Sequence, residues 1–321
     1  MKALLFVTIS TPKDPSEESV RIFLSNYLTD PYVISIPQPF RSNLVDGKII
    51  PKRLSASRQR YQKMWDLYNG EMPLRKYTQD LLEKMTVKYP EYATYVMGFH
   101  AGEEEEVSVL ERMHDEGPFE SITLLPLYPQ QTFSSYVSLV NHSKRLLKDR
   151  FPSTPISVVK PFYEHAAYIR LLADRVISKD PSKYDILVAS FHSIPYVHQL
   201  AGSFLGFNYK QQCEKTTRLL ATRLNMQDRV VCCFQSAMGK KWIKPFIENE
   251  ALTFPQKGAS RLLLICPGFL SDCLETVYDL EHVLREDFIA AGGEDLTLVP
   301  SFNGDDDAVD FYYQLTVEAA N

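Results

Sequence analysis

The sequence predicts an α/β protein built on parallel sheets. Short apolar segments alternate with amphipathic helix-forming segments through most of the 321 residues, and this alternation is typical of βαβ units. Most of the apolar segments lack polar residues at every second position, as expected when helices cover both faces of a parallel sheet. Because the length is about twice that of an average domain, two domains or one large α/β unit are favoured.

The predicted elements begin with a strand at residues 3–9, followed by Pro15-Ser16-Glu17-Glu18 and a periodic segment that ends near Tyr27. The serine can cap a helix whose first turn holds the two acids. The run Glu103–Glu106 is interpreted in the same way, as the solvated start of a helix rather than a cation site. Further strands are predicted at residues 32–36, 92–99, 121–127, 156–159, 184–190, 229–234, 262–266 and 297–299. A segment rich in Pro and Ser at residues 150–155 is the best candidate for a boundary between two halves.

Composition and missing motifs exclude several classes of protein. The chain has 35 Lys and Arg against 40 Asp and Glu, a net charge of −5, which argues against nucleic acid as a partner. No apolar run approaches the ~20 residues of a membrane span, and the apolar start is too short for a signal peptide. The five cysteines favour a reducing, cytoplasmic environment over a disulfide scaffold. No dinucleotide fingerprint, Walker loop, nucleophile elbow, zinc-protease motif or C-x-x-C pair occurs.

Polar and aromatic turns follow four of the predicted strands, at residues 126–130, 190–195, 234–236 and 266–269. Ligands of open α/β sheets bind outside the carboxyl ends of the strands, so these turns predict a cleft suited to a large, flat, mostly apolar ligand. His192 lies two residues past the end of one predicted strand, where an imidazole can act as a base or metal ligand. A histidine satisfied by backbone hydrogen bonds is the equal alternative.

Three acids have helical spacing after the Pro267-Gly268 turn. Asp272, Glu275 and Asp279 are related as i, i+3 and i+7, with Ser271 or Asp272 as the predicted helix cap. On one helix face they could raise one another's pKa, relay protons or receive a cation. Spacing alone slightly favours a plain acidic stripe that faces solvent.

Together these motifs resemble the ferrochelatase family, enzymes that insert ferrous iron into a porphyrin. The resemblance extends from about residue 3 to about residue 310. Within the family, the sequence is most similar to the Gram-negative bacterial branch. It is carried by Thr11-Pro12, Pro126-Leu-Tyr-Pro-Gln130, Ser190-Phe-His-Ser-Ile-Pro195, Tyr209-Lys-Gln-Gln-Cys213, Phe234-Gln-Ser236 with Trp242, and Pro267-Gly-Phe-Leu-Ser-Asp-Cys-Leu-Glu275.

The resemblance implies the chelatase fold, in which two Rossmann-like halves, each with a parallel sheet flanked by helices, enclose the porphyrin in a cleft. The expected halves are residues 1–152 and 153–303, and a last helix at about 304–321 is expected to pack back on the first half. His192, Glu275 and Asp279 are then the catalytic residues, with His192 and Glu275 in contact with the metal. The implied porphyrin-binding residues are Thr11, Pro12, Tyr128, Pro129, Gln130, Ser190, Ser193, Pro195, Trp242, Phe269, Ser271 and Asp272.

The resemblance also implies the partners. The porphyrin and ferrous iron are substrates, no tightly bound cofactor is expected, and the cysteine spacing favours buried thiols over an iron–sulfur cluster. His198 and His282 are weaker candidates for additional metal ligands. Peripheral contact with the inner membrane would suit a lipophilic porphyrin, although no amphipathic anchor stands out in the sequence. The oligomeric state is left open.

Departures from the family pattern occur at Ser10, at Glu71-Met72 and around His100-Ala101, all in the N-terminal half. A serine in place of a glycine at position 10 requires that φ there stay negative. These departures motivate a second hypothesis, a porphyrin- or haem-binding relative without catalytic activity. An unrelated α/β protein with a chance similarity is the third. Protoporphyrin IX is the predicted substrate because the motifs resemble the Gram-negative branch, and coproporphyrin is the alternative.

Overall fold

The computed structural model describes residues 1–320 and confirms the α/β class. Eight strands within this range form two four-stranded sheets in which every pairing is parallel. The strands are β1 (Lys2–Ile9), β2 (Tyr92–Phe99), β3 (Ile122–Pro126), β4 (Ile156–Val158), β5 (Ile186–His192), β6 (Val230–Gln235), β7 (Arg261–Ile265) and β8 (Asp295–Leu298).

Helices connect the strands and cover the sheets. They are α1 (Glu17–Leu28), α2 (Phe40–Leu44), α3 (Ile50–Leu67), α4 (Pro73–Lys88), α5 (Glu103–Glu116), α6 (Ser138–Arg150), α7 (Ala166–Ile177), α8 (Tyr196–Phe204), α9 (Tyr209–Leu224), α10 (Ile247–Glu250), α11 (Arg285–Ala290) and α12 (Asp306–Ala320). Three further segments are π-helical, at Val45–Ile49, Phe133–Val137 and Leu274–Leu284. None of the helices within residues 1–320 is long and apolar enough to cross a membrane.

Two compact units divide the chain. Unit 1 consists of Met1–Leu127, Phe133–Lys160 and the chain from Asn303 onward, and unit 2 consists of Tyr128–Thr132 and Pro161–Phe302. The sheet of unit 1 has the order β2-β1-β3-β4, and that of unit 2 has the order β6-β5-β7-β8. Within each sheet, therefore, the first strand lies between the second and the third. This order places a topological switch point, where open α/β sheets bind ligands, beside the carboxyl end of the first strand.

The core of unit 1 explains its apolar strands. In β1, residues 3–7 are completely buried, because helices cover both faces of the sheet. The last helix, α12, returns to this unit and contacts α4, β3 and β4. Its Tyr312 meets Phe6 edge to face at 5.8 Å, and Tyr313 stacks on Tyr89 at 3.7 Å. The final helix thus completes the core of the first sheet.

The predicted strand at residues 32–36 is wrong, because this segment forms a turn. The side chain of Asp30 accepts a hydrogen bond from the backbone amide of Tyr32 at 2.7 Å. The backbone carbonyl of Asp30 accepts hydrogen bonds from the amides of Val33 and Ile34. Asp30 thereby captures the amides that a strand would present to a neighbour. The alternation of apolar residues after Asp30 does not reveal this competing local bond.

Asp30 also lies at the centre of a buried histidine cluster in unit 1. The Nε2 atoms of His100 and His142 are each 3.6 Å from Asp30 Oδ2, and the hydroxyl of Ser138 donates to the same oxygen. His100 has a φ of 76° and is 9% exposed. Burial lowers the pKa of His100 to about 4, an effect that the Asp30 carboxylate opposes and the neighbouring His142 reinforces.

We therefore expect the free energy of unfolding to fall as pH drops from 6.5 towards 4. In this range the unfolded chain protonates His100 and the folded chain does not, so acid favours unfolding by up to roughly 3 kcal/mol. Urea denaturation between pH 7 and pH 4 measures the slope. His100→Asn should flatten it, because asparagine tolerates positive φ and does not titrate there. The exposed His114→Asn is the matched control. A slope that survives His100→Asn would assign the dependence to other groups.

Candidate active site

His192 is the last residue of β5, rather than two residues beyond the strand as predicted. Its Nδ1 lies 2.5 Å from the carbonyl oxygen of Ser193. A carbonyl can only accept, so in the neutral imidazole Nδ1 carries the hydrogen and Nε2 keeps the lone pair. The two alternatives for this histidine are therefore compatible, since one nitrogen is satisfied by the backbone while the other keeps the lone pair needed for chemistry. The carbonyl of His192 accepts from the buried hydroxyl of Tyr209 at 2.8 Å, which anchors the strand end.

Two aromatic residues lie close to the imidazole. The ring centroids of Trp242 and Phe269 lie 6.3 and 6.5 Å from that of His192, both tilted against it. Trp242 is held by a bridge to Pro195, and the hydroxyl of Ser193 donates to the carbonyl of Ile243 at 2.8 Å. The structure therefore brings together five sequence-predicted residues: His192, Ser193, Pro195, Trp242 and Phe269.

Gln235 links the elements around His192. It pairs with His192 across the sheet, is fully buried, and its Oε1 accepts from the hydroxyl of Ser190 at 2.6 Å. Its Nε2 donates to the carbonyl of Glu275 at 2.8 Å. One side chain thus connects the histidine-bearing strand to the start of the acidic segment, the π-helical residues Leu274–Leu284 that include Glu275 and Asp279. Gln235 lies in the turn at residues 234–236 that the sequence predicts to line the cleft, but it was not among the predicted catalytic or porphyrin-binding residues.

The helix that carries the acids begins later in the chain than the sequence predicts. Cys273 caps the helix, with reciprocal bonds to Thr276, and its extended backbone separates Asp272 from the helix. Asp272 is buried, and its Oδ1 accepts from the amide of Ser301 and the hydroxyl of Thr276, both at 3.3 Å. The prediction that Asp272 shares a helix face with the other two acids is therefore wrong, as is the prediction that Ser271 or Asp272 is the cap.

Glu275 and Asp279 do lie together in the π-helical segment Leu274–Leu284. Backbone bonds in a π-helix run from i to i+5, so a turn takes roughly four to five residues and side chains four apart share a face. Both acids are partly exposed. Residues 1–320 contain no group of three or more His, Cys, Asp or Glu side chains placed to hold a metal ion, and the five cysteines in this range are free thiols.

The turn at residues 128–130 is part of unit 2. Gln130 is buried and donates to the hydroxyl of Thr216 at 3.2 Å, and the amide of Gln131 donates to Gln212 Oε1 at 2.7 Å. A Cβ at Gly268 would lie 3.5 Å from Gln130 Oε1. These contacts hold the turn at residues 128–130, which includes Tyr128 and Pro129, against α9 and against the Pro267-Gly268 turn.

Thr11 and Pro12 are buried in unit 1, just after β1. The carbonyl of Thr11 accepts from the guanidinium of Arg75 at 3.2 Å, and the same nitrogen of Arg75 pairs with Glu105 at 2.6 Å. A cavity of about 370 Å³ opens beside them. Ser10, Arg75, Thr78, Gly98 and Arg112 are among the residues that line it.

Ser10 is one of the departures from the family pattern. It is not among the residues with positive φ, so the replacement of a glycine is tolerated. Its Cβ and Oγ lie 3.0 Å from where a Cβ on Gly98 would be, so the serine side chain is accommodated by a glycine across the sheet. The two positions thus complement each other beside the cavity of unit 1.

Comparison with solved structures defines the fold. The chain matches SirB from Bacillus subtilis with Fe³⁺ at a TM-score of 0.50 and 12% identity, covering 99% of this chain and 95% of that one. It matches DR2241 from Deinococcus radiodurans, described as similar to chelatases, at a TM-score of 0.55 and 9% identity, covering 99% and 55%. The fold is therefore the chelatase fold, as predicted.

Comparison of sequences identifies the family. The ferrochelatase family model matches residues 1–320. Ferrochelatase from Pseudomonas fluorescens (strain SBW25) is 32% identical over 324 residues, with 94% of each chain covered. Ferrochelatase from Stutzerimonas stutzeri (strain A1501) is 30% identical, with 99% of this chain and 98% of the relative covered. The chain belongs to the ferrochelatase family. It is a metal chelatase of haem biosynthesis, with a porphyrin and a metal ion as substrates.

Proposed function

We propose that this chain inserts ferrous iron into protoporphyrin IX, the last step of haem synthesis. The observation that supports it most directly is the state of His192. Its Nδ1 is held by the carbonyl of Ser193, and its ring lies near those of Trp242 and Phe269 at the carboxyl edge of a parallel sheet. An oriented imidazole beside aromatic rings suits a flat macrocycle from which protons must be removed.

The reaction requires two pyrrole N–H groups to lose their protons and the porphyrin ring to bend towards the metal. We assign the proton-accepting or metal-contacting role to His192 Nε2. Trp242 and Phe269, with Tyr128 and Pro129, form the walls that favour the distorted ring. Rigid walls lower the barrier only if they fit the bent ring better than the flat one.

Glu275 and Asp279 are assigned to a proton or metal path. They share one face of the π-helical segment, and the carbonyl of Glu275 is tied to Gln235. Carboxylates in succession can pass a proton or a hard cation along a helix. Ferrous iron is the proposed metal, and a histidine with carboxylates would also accept Zn²⁺ or Co²⁺.

Several predicted porphyrin ligands are assigned supporting roles instead. The hydroxyl of Ser190 is engaged by Gln235, that of Ser193 by Ile243, and the carboxylate of Asp272 by Ser301 and Thr276. We propose that these groups hold the strand ends and the helix start in place. Direct porphyrin contacts at Thr11, Pro12, Gln130, Pro195 and Ser271 stay predictions.

Coproporphyrin is the second candidate substrate. Arg75 and Arg112 line the cavity of unit 1, and arginines bind the carboxylates of which coproporphyrin has four and protoporphyrin two. We propose a cytoplasmic location for either reaction, with peripheral contact to the inner membrane, because protoporphyrin is lipophilic.

An anaerobic metal-insertion assay with both porphyrins tests the proposal. The purified chain, with ferrous iron or Zn²⁺, should convert protoporphyrin IX to its metalloporphyrin, as followed by the change in absorbance. Faster conversion of coproporphyrin would select the second candidate. Tight porphyrin binding without turnover by either metal would support the non-catalytic relative and overturn the proposal.

A further inference from the structure

Tyr168 of α7 is a fully buried tyrosine whose hydroxyl reaches the turn after β7. The hydroxyl donates to the carbonyl of Pro267 at 2.6 Å. The ring is 0% exposed and meets the rings of Phe162 and Phe302 edge to face, at centroid distances of 5.7 and 5.9 Å. Because these aromatic neighbours fix the ring, the hydroxyl has a defined position. The hydrogen bond therefore ties the turn after β7 to a helix.

The turn that Tyr168 holds carries Phe269, whose ring lies 6.5 Å from that of His192. β7 and β5 are neighbouring strands of one parallel sheet, so the turn and His192 lie at the same carboxyl edge. The amide of Phe269 donates to the carbonyl of Cys266 at 3.0 Å. That bond closes the turn on itself and does not fix it to another element. The bond from Tyr168 to Pro267 does.

A small void lies beside this turn. Its volume is about 10 Å³, and the residues that line it include Leu172 of α7, Phe269, Leu270 and Phe302. A space of this size holds at most one water molecule, so it is too small for a ligand. Atoms that line a void lack packing partners on that side, so packing alone leaves the turn room to shift. The hydrogen bond from Tyr168 opposes that shift.

We propose that Tyr168 is a positioning residue that holds Phe269 at its distance from His192 through the carbonyl of Pro267. The inference rests on the proposed function, in which Phe269 is part of the wall that favours the bent porphyrin. Such a wall lowers the barrier only if it keeps its own shape while the porphyrin bends. Because its ring is buried and its hydroxyl is bound to the backbone, Tyr168 acts through the turn and not by contact with the substrate.

Tyr168→Phe tests the proposal, because it removes one oxygen atom and keeps the buried ring. We expect kcat for metal insertion to fall roughly tenfold, with KM for the porphyrin changed by less than about twofold. The matched control is Tyr136→Phe in unit 1. Tyr136 is also buried, and its hydroxyl donates to the backbone carbonyl of Val159 at 2.8 Å. Both variants lose one such bond and should lower the midpoint of urea denaturation similarly, but Tyr136→Phe should keep its kcat.

A double-mutant cycle with Phe269→Leu checks that Tyr168 acts through Phe269. Once Phe269 has been replaced, Tyr168→Phe should lower kcat little further, because the residue that it positions is gone. Fully additive losses of kcat in the cycle would overturn the proposal. Equal losses of kcat in Tyr168→Phe and Tyr136→Phe would overturn it as well, since they would show that the bond supports only the fold.

Resonance Raman spectra of bound protoporphyrin IX give a readout that does not depend on turnover. The bands from out-of-plane deformation of the ring should weaken in Tyr168→Phe and stay unchanged in Tyr136→Phe. If the unmodified chain binds the porphyrin without inserting a metal, the proposed function fails, and these spectra still decide the role of Tyr168. Identical spectra in Tyr168→Phe and the unmodified chain would refute that role, and a chain that binds no porphyrin would refute both proposals.

Discussion

His192→Ala should lower the rate of iron insertion by at least about 100-fold, the usual scale for loss of a general acid–base group. The imidazole is already oriented, because Nδ1 is bound to the carbonyl of Ser193 and the strand end is anchored by Tyr209. Alanine removes the whole imidazole, including its bond to the carbonyl of Ser193, but leaves the bond from Tyr209 to the backbone carbonyl of residue 192 in place. Initial rates of metalloporphyrin formation measure the loss, and porphyrin fluorescence titration should show that binding is largely retained.

His282→Ala provides the control for this substitution. His282 is a partly exposed histidine in the π-helical segment and a weaker candidate ligand, so its replacement should change the rate little. Glu275→Gln should act differently from both, by raising the iron concentration needed for half-maximal rate. Undiminished turnover in His192→Ala would remove His192 from the chemistry, whatever the family resemblance implies.

Elements governed by local chemistry were predicted well from the sequence. Residues 3–9 form β1 almost as predicted, because a strand buried on both faces must be apolar throughout. The acidic run at residues 103–106 begins α5, as the helix dipole requires. The strand that ends at His192 was placed within two residues of its true end.

Features decided by contacts between distant residues were not predictable in this way. Asp272 was assigned to a helix by its spacing, but its bond to Ser301, 29 positions away, holds it outside. The exposure of apolar residues on α8, such as Val197 at 65% and Phe204 at 89%, was not predicted, because apolar residues at helical spacing usually face a core. This exposure depends on the bonds of Gln199 to Asn208 and Lys210, and helical periodicity carries no information about them.

Gln235→Leu should lower both stability and turnover, because it removes one side chain that joins three elements. The hydroxyl of Ser190 and the carbonyl of Glu275 would lose their partner, and unsatisfied buried groups cost about 1–3 kcal/mol each. The start of the π-helical segment would no longer be tied to the strand that bears His192. We expect kcat to fall by roughly 10- to 100-fold with KM for porphyrin little changed, since a displacement of about 1 Å can cost that much.

Gln199→Leu is the control that separates positioning from stability. Gln199 is likewise a buried glutamine of unit 2, and its side chain makes three hydrogen bonds, so its loss should lower the midpoint of urea denaturation to a similar degree. It has no bond to the acidic segment, and at a temperature where both variants are folded its turnover should stay near that of the unmodified chain. Equal losses of kcat in the two variants would show that Gln235 supports only the fold. A selective loss in Gln235→Leu would establish it as the residue that positions the acidic segment relative to the His192 strand.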